Sequence, residues 1–127
     1  MRILFVCVGN SCRSQMAEGW AKHMGIDARS AGTHPASQVA PNSVVVMDEV
    51  GIDIAHQSPS SLDDFDVTTF DYIISMGCGV SCPTIRIDAD WELEDPVGQP
   101  LDVYRATRDQ IEKNLRAFIE SDLNTDA

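Results

Sequence analysis

The sequence is poor in basic and aromatic residues, and it contains no long apolar run. Nine Lys and Arg stand against twenty Asp and Glu in 127 residues, which gives a formal net charge of −11. This charge repels phosphate backbones and anionic lipids, so we expect neither nucleic acid nor a membrane as a partner. No stretch of about 18 apolar residues could span a bilayer, and residues 1–8 are too short for a signal peptide. These absences predict a cytoplasmic protein.

The chain is long enough for one hydrophobic core. A length of 127 residues with 43% hydrophobic residues predicts a single domain over residues 1–127 and excludes intrinsic disorder. Four cysteines in a cytoplasmic chain stay reduced, which favours catalytic or metal-binding roles over structural disulfides. Zinc needs further ligands, and the three histidines have no paired spacing, so we expect no metal site. The cysteines are Cys7, Cys12, Cys78 and Cys82.

Strand and helix patterns alternate along the chain. Short apolar runs predict strands over residues 2–6, 27–31, 71–76 and 84–87, and helical spacing predicts helices over 13–25, 42–50 and 101–123. Ser60 or Ser61 is expected to cap a short helical stretch before Phe65, and residues 89–100 are expected to be loop. This alternation predicts a three-layer α/β/α domain with a four-stranded parallel sheet. Cys7, Cys78 and the loop before Pro96 all follow strands, so the candidate site lies at the carboxyl edge of the sheet.

The most informative motif lies between the first strand and the first helix. It places the Cys7 thiol at the strand end, five loop residues next, and then Arg13-Ser14 at the helix start. Loop amides and the helix N-terminus form a site for an anion, and the Arg13 guanidinium can hold two oxygens of a tetrahedral oxyanion. Helix N-termini and nearby cations lower a thiol pKa from about 8.5 to about 3.5–7.5. Cys7 is therefore predicted to be an ionised nucleophile, with Ser14 donating a hydrogen bond to its sulfur.

The plainer interpretation is that Cys7 is a small buried hydrophobe that ends a strand. The combination of Cys7 with Arg13 and Ser14 at this spacing favours catalysis instead. Cys12, inside the loop, is interpreted as structural.

The loop resembles that of the low-molecular-weight protein tyrosine phosphatase superfamily. The matching residues are Cys7-Val8-Gly9-Asn10-Ser11-Cys12-Arg13-Ser14-Gln15-Met16-Ala17-Glu18-Gly19, of which the last six are most similar to the arsenate reductase branch. Ser30-Ala31-Gly32, residues 50–54 and Asp95-Pro96-Val97-Gly98 continue the resemblance in order. It implies a four-stranded parallel sheet flanked by helices. It also implies that the substrate oxyanion binds to Val8, Gly9, Asn10, Ser11, Cys12 and Arg13, with Asn10 bracing the loop.

Two branches of the superfamily remain open, a phosphatase and an arsenate reductase. In either, the resemblance implies that Asp95, in Asp95-Pro96, is the proton donor. In a phosphatase of this type aromatic residues follow that Asp and flank the substrate ring, whereas Val97 and Gly98 follow it here. Trp91 is expected either to cover the site or to pack in the core. Arg105 and Arg108 are expected to be solvated or ion-paired.

The pair Cys78 and Cys82 favours the reductase. The resemblance implies that Cys7 forms a thiol adduct with arsenate, that Cys78 attacks Cys7 to release arsenite, and that a Cys78–Cys82 disulfide remains. No bound cofactor is implied, and an external thiol reductant is required. The spacer is shorter than in thioredoxin-coupled members. The partner is therefore thioredoxin or, alternatively, a small thiol such as mycothiol or glutathione with a glutaredoxin-like protein.

Overall fold

Four parallel strands form the sheet, in the order β2-β1-β3-β4. The computed structural model describes residues 1–77 and 85–126, with side chains described as far as Ser121. The strands are β1 (Arg2–Cys7), β2 (Asp27–Gly32), β3 (Tyr72–Ser75) and β4 (Ala89–Asp90). Every pairing in the sheet is parallel, from Arg2 beside Asp27 to Ser75 beside Asp90. The predicted four-stranded parallel sheet is confirmed.

The described part of the chain also contains three α-helices and two short 3-10 helices. The α-helices are α1 (Arg13–His23), α2 (Pro41–Asp48) and α3 (Leu101–Asp126). Leu62–Asp64 and Val67–Thr69 form the 3-10 helices, and the Ser61 side chain caps the first by accepting from the Asp63 N–H. None of the described helices is long and apolar enough to cross a membrane.

Alternate residues of β1 serve the two faces of the sheet. Ile3, Phe5 and Cys7 pack into the core cluster that includes the apolar residues of α1, α2 and α3. Leu4 and Val6 belong to a second cluster on the opposite face. In the described residues that face is covered by the two 3-10 helices and by residues 85–87, which makes a thinner third layer than one built from long helices.

The fourth strand lies at a different place from the predicted one. Residue 84 is outside the described residues, and residues 85–87 are not strand; β4 is Ala89–Asp90, within the segment predicted as loop. Ile85 and Ile87 are apolar because they pack on the second cluster, not because they pair in the sheet. Pairing starts after Asp88, whose carboxylate accepts from the Ile73 N–H at 2.7 Å. The prediction of a strand over residues 84–87 was therefore wrong for residues 85–87, whose apolar side chains serve packing.

Candidate active site

The loop of residues 8–12 closes around a small pocket at the carboxyl end of β1. Arg13 begins α1 immediately after the loop, so the free N–H groups of the first helical turn face the same space. The pocket has a volume of about 190 Å³. It is lined by Cys7, Val8, Gly9, Ser11, Cys12, Arg13, Asp95 and Val97. The candidate residues of the loop and Asp95, which precedes Pro96, therefore line the same pocket.

The Cys7 sulfur has two polar neighbours. The Asn10 backbone N–H donates to Cys7 Sγ at 3.1 Å, and Ser14 Oγ lies 2.8 Å from the same sulfur. The Asn10 side-chain Nδ2 donates to Ser14 Oγ at 2.7 Å. Either Ser14 Oγ or Cys7 Sγ can be the donor of the bond between them, but a thiolate can only accept, so in that form Ser14 donates to the sulfur.

The loop is held from behind by the segment that follows β2. Backbone N–H groups of residues 33, 34, 36 and 40 donate to the carbonyls of Cys7, Val8, Gly9 and Ser11 at 2.8–3.2 Å. In a trans peptide the N–H of the next residue points opposite the carbonyl. Turning the carbonyls outward therefore turns the amides that follow them toward the pocket. Sequence reasoning did not find this support.

Gly32 at the end of β2 permits the close approach of this segment. A Cβ at this position would lie 2.7 Å from the Val8 carbonyl oxygen and 3.0 Å from Asn10 Cβ. Real Cβ atoms do not approach backbone so closely, so only glycine fits without displacing the loop. The Ser30-Ala31-Gly32 motif in the sequence was the signal for this contact.

The guanidinium of Arg13 is buried and tied to the backbone. Arg13 Nη1 donates to the Met76 carbonyl at 2.8 Å and to the Leu93 carbonyl at 3.0 Å. Arg13 Nη2 lies 3.9 Å from Asp95 Oδ2. Gly77 has a φ of 110°, and a Cβ there would lie 3.1 Å from Arg13 Nη1. Nη1 is thus occupied by carbonyls, which leaves the rest of the guanidinium for an anion. Sequence reasoning missed these carbonyl partners.

Asp95 lies at the mouth of the pocket and is accessible to solvent. Its Oδ1 accepts from the Val97 N–H at 3.1 Å, and 56% of its side chain is exposed. Val8 is 37% exposed and Val97 55% exposed. Among the described residues that line the pocket, none is aromatic. Trp91 packs against Phe5, with ring centroids 5.9 Å apart, and joins the core.

Cys12 differs from Cys7 in its surroundings. Its thiol is buried and donates weakly to the Tyr104 hydroxyl at 3.9 Å. Burial raises the pKa of the Cys12 thiol above its ordinary value. Burial also raises the pKa of Tyr104 to about 12, and the nearby Cys12 adds to this shift. Cys12 is therefore a protonated thiol at neutral pH, unsuited to nucleophilic attack.

The remaining candidates fall into two groups. Cys78 and Cys82 lie outside the described residues. Arg105 and Arg108 are ion-paired with Glu49, at 2.8 Å in each case, away from the pocket. No group of three metal-ligating side chains occurs in residues 1–77 and 85–126.

The chain is similar to known proteins over nearly its whole length. The family model described as low molecular weight phosphotyrosine protein phosphatase matches residues 2–127. A "Glutaredoxin arsenate reductase" of Synechocystis sp. is 44% identical over 126 residues, covering 93% of this chain and 95% of the relative. An "Arsenate reductase" of Staphylococcus aureus strain Newman is 35% identical over 124 residues, covering 91% and 94%.

A solved structure described as an arsenate reductase in the phosphate binding state has a TM-score of 0.86 to this chain. The two are 42% identical, and the match covers 94% of this chain and 97% of the other. By sequence, fold and the geometry of its loop, the chain belongs to the low molecular weight phosphotyrosine protein phosphatase family.

Proposed function

We propose that this protein is an arsenate reductase that converts arsenate to arsenite with electrons from its own thiols. The observation that carries the proposal is the Cys7 sulfur, which accepts from the Asn10 N–H, lies 2.8 Å from Ser14 Oγ, and lines a pocket sized for a small oxyanion. The relatives named arsenate reductase support the choice of arsenate as substrate. Arg13 and the loop amides of residues 8–13 bind the three oxygens that do not react.

The mouth of the pocket favours a small inorganic substrate over a phosphotyrosine side chain. Val8 and Val97 are the exposed apolar residues that line the pocket, and they offer no ring face for stacking. An anion of about arsenate size fits a space of about 190 Å³ without further contacts.

The first step forms a covalent adduct. The Cys7 thiolate attacks arsenic, an S–As bond forms, and an As–OH bond breaks. Asp95 gives a proton to the departing hydroxyl, which leaves as water. Arg13, 3.9 Å from the Asp95 carboxylate, keeps the proton donor beside the bound oxyanion.

The second step transfers two electrons to arsenic. Cys78 attacks the Cys7 sulfur, an S–S bond forms, and the electron pair of the S–As bond remains on arsenic, which leaves as arsenite. Cys82 then attacks Cys78, which leaves a Cys78–Cys82 disulfide and restores the Cys7 thiolate. Met76 lies two residues before Cys78 in the sequence, and its carbonyl accepts from Arg13 at 2.8 Å; this contact is our reason for choosing Cys78 as the first thiol to attack.

The disulfide must be reduced by an external thiol protein. We propose a glutaredoxin with glutathione as the first choice, because the relative that is 44% identical is named a glutaredoxin arsenate reductase. Thioredoxin is the second choice, and it is supported by the cysteine pair alone. Both reductants belong to the cytoplasm, which we propose as the location of the reaction.

Coupled assays test the proposal. Arsenate-dependent oxidation of NADPH is followed with glutaredoxin, glutathione and glutathione reductase, and in parallel with thioredoxin and its reductase. We expect turnover with one system and none when arsenate is replaced by phosphate. No arsenite from either system, with a reduced and folded protein, would contradict the proposal.

Serine variants separate reduction from phosphate ester hydrolysis. Cys7→Ser is expected to abolish both arsenate reduction and release of p-nitrophenol from its phosphate. Cys78→Ser and Cys82→Ser are a matched pair, expected to lose arsenate turnover while any hydrolysis of the ester persists. If both variants reduced arsenate at the normal rate, the proposed relay would be wrong. Strong hydrolysis without arsenate reduction would identify a phosphatase instead.

A further inference from the structure

Gln15 is a buried amide that lies outside the pocket and yet is bonded to its loop. The side chain is on α1, one residue after Ser14, and is fully buried. Its Nε2 group donates to three oxygens: the Asn10 carbonyl at 2.9 Å, Asn10 Oδ1 at 3.1 Å and the Ser58 carbonyl at 3.1 Å. A buried polar group with this many partners fixes the position of each of them.

The orientation of every amide in this cluster is set by a backbone group. The Ser60 N–H donates to Asn10 at 2.8 Å, so the atom that receives it is the amide oxygen Oδ1. The Ser58 carbonyl can only accept, so the Gln15 atom facing it is Nε2. Gln57 Nε2 donates to the Gln15 backbone carbonyl at 3.2 Å and to Gln15 Oε1 at 2.7 Å. No amide in the cluster can be reversed without losing a bond.

These orientations make the hydrogen bonds run in one direction toward the nucleophile. Gln57 donates to Gln15, Gln15 donates to Asn10, and Asn10 donates to Ser14 at 2.7 Å. Ser14 accepts from Asn10 and lies 2.8 Å from Cys7 Sγ, to which it donates when Cys7 is a thiolate. A chain of donors aligned in this way strengthens each of its bonds and ends at the sulfur.

The backbone of Asn10 needs the same support. Its φ is 50°, in the left-handed region, which Asn adopts more readily than most residues other than glycine. This conformation directs the Asn10 N–H at Cys7 Sγ. The Gln15 amide bonds both the carbonyl and the side chain of Asn10, so it holds the residue in that conformation from two sides.

We propose that Gln15 is a positioning residue for the Cys7 nucleophile, acting through Asn10 and Ser14 to keep two hydrogen-bond donors on the sulfur. The inference rests on the Cys7 nucleophile of the proposed function, but it does not depend on arsenate as the substrate. Gln15 neither lines the pocket nor touches the sulfur, so it acts on the nucleophile only through Asn10 and Ser14.

The test measures thiolate formation without any substrate. Gln15→Met keeps nearly the same shape and removes the donors, whereas Gln110→Met on the exposed face of α3 is the matched control. Alkylation of Cys7 by iodoacetamide is followed across pH, with the modified peptide identified by mass spectrometry. We expect the pH midpoint of Cys7 alkylation to rise by about one unit in Gln15→Met, with about tenfold slower alkylation at pH values below both midpoints. The control is expected to match the unaltered protein.

A folded Gln15→Met protein with an unaltered alkylation midpoint would overturn the proposal, because the packing of a side chain of that shape would then be enough to position Asn10 and Ser14. If Gln15→Met does not fold, the proposal is tested by NMR on the unaltered protein. Its Gln15 side-chain amide resonances are expected to shift on pH titration with the same midpoint as Cys7 alkylation. Amide resonances that stay constant through that midpoint would equally overturn the proposal. If the unaltered protein does not reduce arsenate but Gln15→Met shows the expected alkylation shift, arsenate is rejected as the substrate and the positioning role of Gln15 stands.

Discussion

Replacing Arg13 by Lys keeps the positive charge but removes the forked guanidinium. In the structure one nitrogen bonds the Met76 and Leu93 carbonyls at 2.8 and 3.0 Å, and the other lies beside Asp95. Lysine is shorter and carries a single nitrogen, so it cannot bond both carbonyls and also meet an oxyanion. The variant therefore loses substrate contacts and fold contacts together.

The size of each loss follows from the bonds. A hydrogen bond to a charged group contributes about 1.5 to 3 kcal/mol, which corresponds to a KM for arsenate about 10- to 100-fold higher. Leaving a buried carbonyl without its donor costs about 1 to 3 kcal/mol in the free energy of unfolding. We expect Arg13→Lys to show both effects.

Steady-state kinetics with the coupled assay and urea unfolding measure the two effects. Arg116→Lys is the matched control, because Arg116 is exposed on α3 and pairs only with Glu112 among the described residues. The control is expected to leave KM and the unfolding free energy unchanged. A folded Arg13→Lys protein with a normal KM for arsenate would refute the role of the guanidinium fork.

Three further predictions concern the loop, the proton donor and the helix contact. Asp95→Asn is expected to lower kcat for arsenate reduction about 100-fold or more, with little change in the inhibition constant for phosphate. A normal kcat would exclude Asp95 as the proton donor. Gly32→Ala places a Cβ 2.7 Å from the Val8 oxygen, so urea unfolding is expected to show a loss of about 1–3 kcal/mol, whereas unchanged stability would contradict the close approach. Arg105 lowers the pKa of Glu49 from 4.5 to about 2. Glu49→Gln is therefore expected to have a lower free energy of unfolding than the unaltered protein at pH 7. The difference is expected to disappear as the pH falls from about 4.5 to about 2. A difference that persists at about pH 2 would show that the ion pair is not its cause.

The loop and its flanking elements could be predicted because their signals are local. A strand, a short polar loop and a helix start lie within adjacent residues, and their chemistry depends on spacing along the chain. Cys7, Arg13 and Ser14 were therefore found as candidates from the sequence, and the structure brings them together with Asp95 around one pocket.

Other features depend on contacts between distant segments and leave no periodic signal. The two-residue β4 is set by the Asp88 carboxylate bonding the Ile73 N–H, while the more apolar residues 85–87 serve as packing. The carbonyls that anchor Arg13 and the amides that back the loop come from segments far from it along the chain. Backbone groups are the same at every residue, so sequence reasoning could not identify them.

Single-turnover reduction tests the central claim most directly. Fully reduced protein is mixed with excess arsenate without any external reductant, and arsenite and free thiols are counted. The account predicts one arsenite per chain, the loss of two thiols, and a disulfide that mass spectrometry maps to Cys78 and Cys82. Arsenite formed by Cys7→Ser, or no arsenite from the reduced protein, would contradict it.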